Sequence, residues 1–126
     1  MNPSELKIRI KKFTLECVAI VESLPPGKFN NAISNQIIRS ACSVGANYRA
    51  ACRSRSKAEF IAKIGIVIEE ADESEYWIEM IEESLKKSTD QTTKLKNEAS
   101  QLVAIFTASV KTAKASLQSK NQKSTI

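Results

Sequence analysis

Hydrophobic residues recur at alternating intervals of three and four residues in four stretches of the chain, as expected for one face of a helix. The first stretch carries this repeat at Leu6, Ile10, Phe13, Cys17, Ile20 and Leu24. The longest repeat lies in the third stretch, at Phe60, Ile64, Val67, Ala71, Ser74, Ile78, Ile81 and Leu85. A local alternation at residues 6–11 would suit a strand, but the longer repeat favours a helix.

Capping and breaking residues predict where these helices begin and end. Asn2 and Ser56 each precede a Glu by three residues, so they predict the N-caps of the first and third helices. Pro25, Pro26 and Gly27 end the first helix. The second helix is predicted from about Asn31 to Cys52, the third to near Lys87 and the fourth after residues 88–90. Gly45 lies within the second helix and predicts close helix packing there.

Four long helices with short connections predict an all-α fold, an antiparallel up-down-up-down four-helix bundle. The bundle is predicted over residues 1–117, and residues 118–126 are predicted to be a polar, disordered C-terminal tail. The predicted core consists of eight large apolar residues from the four helices: Phe13, Ile37, Phe60, Ile64, Val67, Ile78, Leu102 and Phe106.

Two of the helices carry a second apolar line that a four-helix monomer does not need. Ile8 and Leu15 form it on the first helix, and Ile66, Trp77 and Met80 form it on the third. We interpret both lines as oligomer interfaces. The alternative is a wide bundle that covers them itself.

Charge is segregated along the sequence. The chain has 19 Lys and Arg against 14 Asp and Glu, and eight of the acids fall within residues 64–85, where there is no Lys or Arg. Outside that segment the net charge is therefore +13. This excess suits contact with a phosphate backbone, although a merely solvated surface would look the same.

Arginines follow a helical line on the second helix and continue into the next turn. Arg49, Arg53, Arg55 and Lys57 are the candidate nucleic-acid-binding residues, because Arg pairs well with phosphate. Arg39 lies on the same line, deeper in the helix, and is predicted to form a structural ion pair with Glu70 and Glu73.

The sequence lacks residues that several classes of function require. There is no His, and the three Cys have no C-x-x-C spacing, which argues against a metal site or a His-based catalytic triad. We expect no enzyme activity, no cofactor and no small-molecule substrate. No apolar run approaches the length of a membrane span and the first residues do not resemble a signal peptide, so we expect no membrane association and a cytoplasmic location.

Three segments carry a resemblance to a known family: QIIRSACSVGANYRAA at residues 36–51, SKAEFIAKI at 56–64 and EADESEYWI at 70–78. They resemble the bacterial four-helix-bundle proteins of the large-subunit (23S) rRNA intervening-sequence family. That family is similar to the accessory variability determinant of diversity-generating retroelements. The resemblance implies a homopentameric ring, and a reverse transcriptase and RNA as partners. Many members have a Glu after the Asn-aromatic pair, where this chain has Arg49, Ala50 and Ala51, so a role of that Glu does not transfer.

These observations predict a non-enzymatic oligomeric binding protein. Its partners would be further copies of itself and RNA or DNA, or a nucleic-acid–enzyme complex that contains a reverse transcriptase. The alternative is a protein-interaction scaffold ring with no role in nucleic-acid binding.

Overall fold

Four α-helices make up the fold in a computed structural model that describes residues 1–124, with side chains described through residue 120. They are α1 (Pro3–Glu22), α2 (Lys28–Cys52), α3 (Lys57–Leu85) and α4 (Asp90–Ser124). The described residues contain no strand, so the all-α fold with four helices is confirmed.

The predicted caps are present. The Asn2 side chain accepts a hydrogen bond from the backbone N–H of Glu5 at 2.9 Å, and Ser56 Oγ accepts one from Glu59 N at 3.1 Å. At the start of α4, Thr89 Oγ1 accepts from Thr92 N at 3.0 Å while Thr92 Oγ1 accepts from Thr89 N at 2.9 Å. These side chains satisfy N–H groups that a helix leaves without a partner in its first turn.

Three helix boundaries differ from the sequence prediction. The second helix begins at Lys28, three residues before the predicted start at Asn31. Gly27 is its N-cap, and residues 28–30 include no Pro or Gly that would break a helix. The third helix ends at Leu85, since Lys86 adopts the left-handed conformation with φ 56°. Helix α4 continues through residues 118–124, which the sequence placed in the polar C-terminal tail. That stretch contains neither Gly nor Pro, and residues 125–126 lie outside the described residues.

Each helix packs on two others: α1 on α2 and α4, and α3 on α2 and α4. Polar contacts show the chain order across the pairs. On the α2–α3 side, Asn30 Oδ1 accepts a hydrogen bond from Ser84 Oγ at 2.6 Å, and the hydroxyls of Ser40 and Ser74 are 2.9 Å apart. A step of ten residues forward on α2 therefore corresponds to a step of ten residues backward on α3.

Seven of the eight predicted core residues are fully buried; the exception is Phe60. Its ring is half-buried, because it lies in the first turn of α3 at one end of the bundle and borders the surface there. Ser40 and Ser74 are also fully buried, and their mutual contact satisfies both hydroxyls between α2 and α3.

Gly45 allows a close approach of α1 and α2. A Cβ atom placed on Gly45 would lie 3.3 Å from Cγ2 of Ile10, which is closer than ordinary van der Waals contact. The close packing predicted from the glycine is therefore observed. It brings the surface of α2 against α1 and shapes the groove described next.

Candidate nucleic-acid interface

A shallow groove of about 710 Å³ runs between α1 and α2, and we call it the α1–α2 groove. Its polar side chains are Lys7 and Lys11 from α1 and Arg49 and Arg53 from α2, beside Thr14. Its remaining lining is small or apolar: Ile10, Leu15, Cys42, Gly45, Ala46 and Tyr48. Cations on both helices thus flank a shared lining of small and apolar side chains.

A second groove of about 540 Å³, the end groove, lies at the turn between α2 and α3. Its charged side chains are Arg55 and Lys57; the rest of its lining is Ser54, Ser56, Ser109, Met1, Pro3, Leu6, Tyr48, Ala51, Cys52 and Phe60. Tyr48 lines both grooves, so the two are adjacent on the surface. Lys57 Nζ also contacts Ser116 Oγ of α4.

The structure therefore divides the four predicted nucleic-acid-binding residues between two neighbouring grooves. Arg49 and Arg53 lie in the α1–α2 groove, and Arg55 and Lys57 lie in the end groove. All four side chains are exposed. Sequence reasoning missed Lys7 and Lys11, although their spacing of four residues places them on one side of α1.

No carboxylate lines either groove among the residues with described side chains. Within the same part of the chain, none of the six groove cations forms an ion pair. The first turn of α3 adds little positive potential, because the Glu59 carboxylate accepts a hydrogen bond from Arg55 N at 3.1 Å and offsets the positive helix end. The positive potential of this surface therefore comes from the side chains.

Arg39 has a different environment, although it lies on the same helical line. Its Nη1 is 3.1 Å from Glu70 Oε2, and its Nη2 contacts Glu73 Oε2. The same Glu73 oxygen accepts a hydrogen bond from Trp77 Nε1 at 3.0 Å. Arg39 is thereby held between α2 and α3 and is not part of the basic surface.

The five candidate interface residues do not all have the exposure that the sequence suggested. Ile8 and Leu15 are 70% and 68% exposed, and Ile66 is 41% exposed. Trp77 and Met80 were expected to be exposed, but both are half-buried and pack against the core. The Trp77 indole N–H donates a hydrogen bond to Glu73 one turn earlier on α3, and Glu73 also contacts Arg39 of α2.

Tyr76 is an exposed aromatic residue that sequence reasoning missed. Its side chain is 50% exposed, and its ring packs edge-on against Trp77 with 5.0 Å between the ring centroids. The sequence could have indicated Tyr76, because it lies four residues before Met80 and therefore on the same side of α3.

Of the three thiols, only Cys17 is buried, and burial raises its pKa to about 12. Cys42 and Cys52 are exposed and line the α1–α2 groove and the end groove, respectively. Both lie on the outer side of α2.

Two further searches cover the described part of the chain. It contains no group of three or more potential metal ligands of the His, Cys, Asp and Glu types. It also contains no helix whose length and hydropathy would suit a membrane crossing.

The fold and this surface define a small all-α protein with four helices and two adjacent basic grooves. The family model of the 23S rRNA-intervening sequence proteins matches residues 5–108, and the chain belongs to that family. A comparison with curated proteins gives no match. Among solved structures, the chain is similar to the crystal structure of a protein of unknown function from the S23 ribosomal protein family of Bacteroides thetaiotaomicron. The TM-score is 0.75, the sequences are 29% identical, and the match covers 88% of this chain and 99% of that one.

Proposed function

We propose that this protein is a non-enzymatic, homo-oligomeric protein that binds RNA through phosphate contacts in the α1–α2 groove and the end groove. The observation that carries the proposal is the set of six cations, without ion-pairing partners or lining carboxylates in the described part of the chain. Lys and Arg that are free of carboxylates can neutralise phosphates and release the condensed counterions, which favours binding.

The grooves favour backbone contact over base recognition. Tyr48 is their only aromatic lining residue apart from Phe60, and both rings are partly or wholly withdrawn into the protein. Base stacking needs exposed aromatic faces, so we expect little sequence preference. The same phosphate chemistry would accept DNA. A reverse transcriptase as part of the bound complex rests on the family resemblance alone.

The proposal includes the finer architecture and location. The reversed order of contacts between α2 and α3 supports an antiparallel up-down-up-down bundle. The exposure of Ile8, Leu15 and Ile66 supports homo-oligomers, for which a ring of five is the number implied by the resemblance. We further propose a cytoplasmic protein without cofactor or small-molecule substrate.

The test is binding of a structured RNA across a salt series, with a triple variant in which Arg53, Arg55 and Lys57 are changed to Gln. Each phosphate contact contributes about 0.7–0.9 to the slope of log affinity against log salt, so the triple variant should lower the slope by about two to three. The matched control changes Lys28, Lys87 and Lys94 to Gln, which removes the same charge from exposed residues at the other end of the bundle.

The proposal requires a weakened affinity in the groove variant and a nearly unchanged one in the control. Equal losses in both variants would mean that net charge, and not these grooves, governs binding. Wild-type protein without salt-dependent RNA binding would favour the second candidate, a scaffold ring without a nucleic-acid role. The observation that favours this candidate is the exposed apolar set of Ile8, Leu15, Ile66 and Tyr76, which phosphate binding does not need.

A further inference from the structure

Two opposite sides of the monomer carry exposed apolar residues in surroundings of opposite charge. On α1, Ile8 and Leu15 are 70% and 68% exposed, and the neighbouring Lys12 is exposed too; we call these three residues the α1 outer face. On α3, Ile66 and Tyr76 flank the exposed Glu69, and we call these three the α3 outer face. Helices α1 and α3 do not pack on each other, so the two faces belong to different sides of the bundle.

The acidic character of the α3 outer face is not neutralised within the chain. No Lys or Arg occurs between Lys63 and Lys86. Three acids of α3 are engaged internally, since Glu70 and Glu73 pair with Arg39 and Glu82 pairs with Lys96. Glu69 forms no ion pair among the described side chains. The crowding is visible at Glu75, where burial and then the neighbouring carboxylates raise the pKa.

The α1 outer face has the opposite sign. Lys7, Lys11 and Lys12 lie around Ile8 and Leu15 and are exposed. The one ion pair in this set joins Lys12 to Glu16 at 3.9 Å across exposed side chains, which is a weak interaction in water. The apolar residues of α1 therefore lie in a basic surface and those of α3 in an acidic one.

We infer that the α1 outer face of one copy docks on the α3 outer face of a second copy. This inference rests on the homo-oligomer of the proposed function and specifies how its subunits meet. Like-charged faces would repel, so contacts of α1 with α1 or of α3 with α3 are disfavoured, whereas the pairing of α1 with α3 joins opposite charges around apolar contacts. Such a contact is heterologous, and repetition of it produces a ring when the rotation closes.

The pairing leaves four of the six groove cations available. Arg49 and Arg53 lie on α2, and Arg55 and Lys57 lie in the turn and first residues that follow it. None of these four residues belongs to either outer face. Leu15 lines the α1–α2 groove as well as the α1 outer face, and Lys7 and Lys11 border both, whereas Ile8 lines neither groove. A change at Ile8 can therefore disrupt assembly without altering a groove residue.

The test uses one variant for each face. Ile8→Glu places an acid in the basic α1 outer face at a residue that lines neither groove, and Ile66→Lys places a base in the acidic α3 outer face. The matched control is Ile38→Lys on α2, since Ile38 is 39% exposed and Ile66 is 41% exposed, and Ile38 belongs to neither face. Circular dichroism checks that each variant is helical, and light scattering coupled to size exclusion measures its mass.

We expect wild type and Ile38→Lys to be oligomers of equal mass, and Ile8→Glu and Ile66→Lys each to be monomers. When the two monomeric variants are mixed, each still has one intact face, so the mixture should form a one-to-one dimer of twice the monomer mass. This recovery is specific to a heterologous contact.

The other outcomes overturn the inference. If either face variant dimerises alone, the interface joins identical faces. If the mixture stays monomeric, the two faces do not meet each other, and if Ile38→Lys also dissociates, the effect is not confined to these faces. Monomeric wild type would remove the homo-oligomer as well, whereas the salt-dependent binding of RNA is measured independently and would be unaffected by any of these results.

Discussion

The close approach of α1 and α2 at Gly45 can be tested with a second glycine as its internal reference. Gly45 and Gly65 both lie within long helices, and neither has a positive φ that would require glycine. A Cβ added at Gly65 would meet nothing within 4 Å. A Cβ added at Gly45 would lie 3.3 Å from Cγ2 of Ile10, a side chain that is fully buried and cannot swing into solvent.

The magnitudes follow from these two environments. Replacing Gly by Ala inside a helix stabilises by about 1 kcal/mol, because Ala loses less backbone entropy. Gly65→Ala should show this gain in full. At Gly45 the same gain is opposed by overpacking, which costs about 1–3 kcal/mol in a core that cannot relax. Gly45→Ala should therefore range from neutral to destabilising by about 2 kcal/mol.

Urea unfolding followed by circular dichroism measures both variants, at one protein concentration because assembly couples stability to concentration. Ile10→Leu supplies the rescue, since leucine has no Cγ2 and nearly the same volume. In the Ile10→Leu background, Gly45→Ala should approach the gain of Gly65→Ala, which gives a favourable coupling in the double-mutant cycle. Equal stabilisation at the two glycines in the wild-type background would refute the close approach.

Three further expectations concern the core, acid stability and the thiols. Phe106→Ala should lower the free energy of unfolding by about 3–5 kcal/mol, because the ring is fully buried beside Tyr48, and Phe60→Ala should lower it by about half as much, because that ring is half-buried. Equal losses for the two variants in urea unfolding would contradict this difference in burial. At Glu82, burial acts to raise the pKa, but hydrogen bonds from Lys96 and the Thr92 hydroxyl prevail and lower it below the ordinary 4.5. Its stabilisation is present above pH 4.5 and lost as the pH falls through the folded-state value, so Glu82→Gln should show a flatter acid melting profile than wild type. A thiol reagent at pH 8 should label two of the three cysteines rapidly and Cys17 only on unfolding, because burial holds the Cys17 pKa near 12; mass spectrometry of the labelled peptides would reveal any other order.

Helices and core could be predicted from the sequence because both depend on local order. The repeat of three and four residues identifies the buried side of a helix without knowledge of its partner, and Asn2 and Ser56 act on their own first turns. The degree of burial at a helix end could not be predicted in this way. Phe60 continues the stripe of α3 without interruption, yet it lies where the bundle ends and fewer neighbours cover it.

The candidate site was only partly predictable, because grooves form between helices that are distant in sequence. Arg49 and Arg53 were found from their spacing along α2, whereas Lys7 and Lys11 join them only because α1 packs beside α2. Trp77 shows that the sequence can also predict exposure for a residue that the folded structure partly buries. Its position on α3 suggested exposure, but the side chain is half-buried against the core and donates a hydrogen bond to Glu73 of the same helix.

The proposal of RNA binding in the grooves and the proposal of assembly through the outer faces together predict how RNA affinity depends on assembly. A monomer offers one set of six groove cations, whereas an oligomer repeats the set, and a long RNA that spans neighbouring subunits would bind with avidity. Ile8→Glu, which keeps all six cations and changes no residue that lines a groove, should therefore bind long RNA more weakly than wild type but bind a short RNA that reaches one subunit about equally well. The triple variant at Arg53, Arg55 and Lys57 should weaken both RNAs and keep the wild-type mass. If Ile8→Glu lost the short RNA as well, the exposed side of α1 around Ile8 would itself be part of the RNA-binding surface, and the separation of assembly at Ile8 from RNA binding would be wrong.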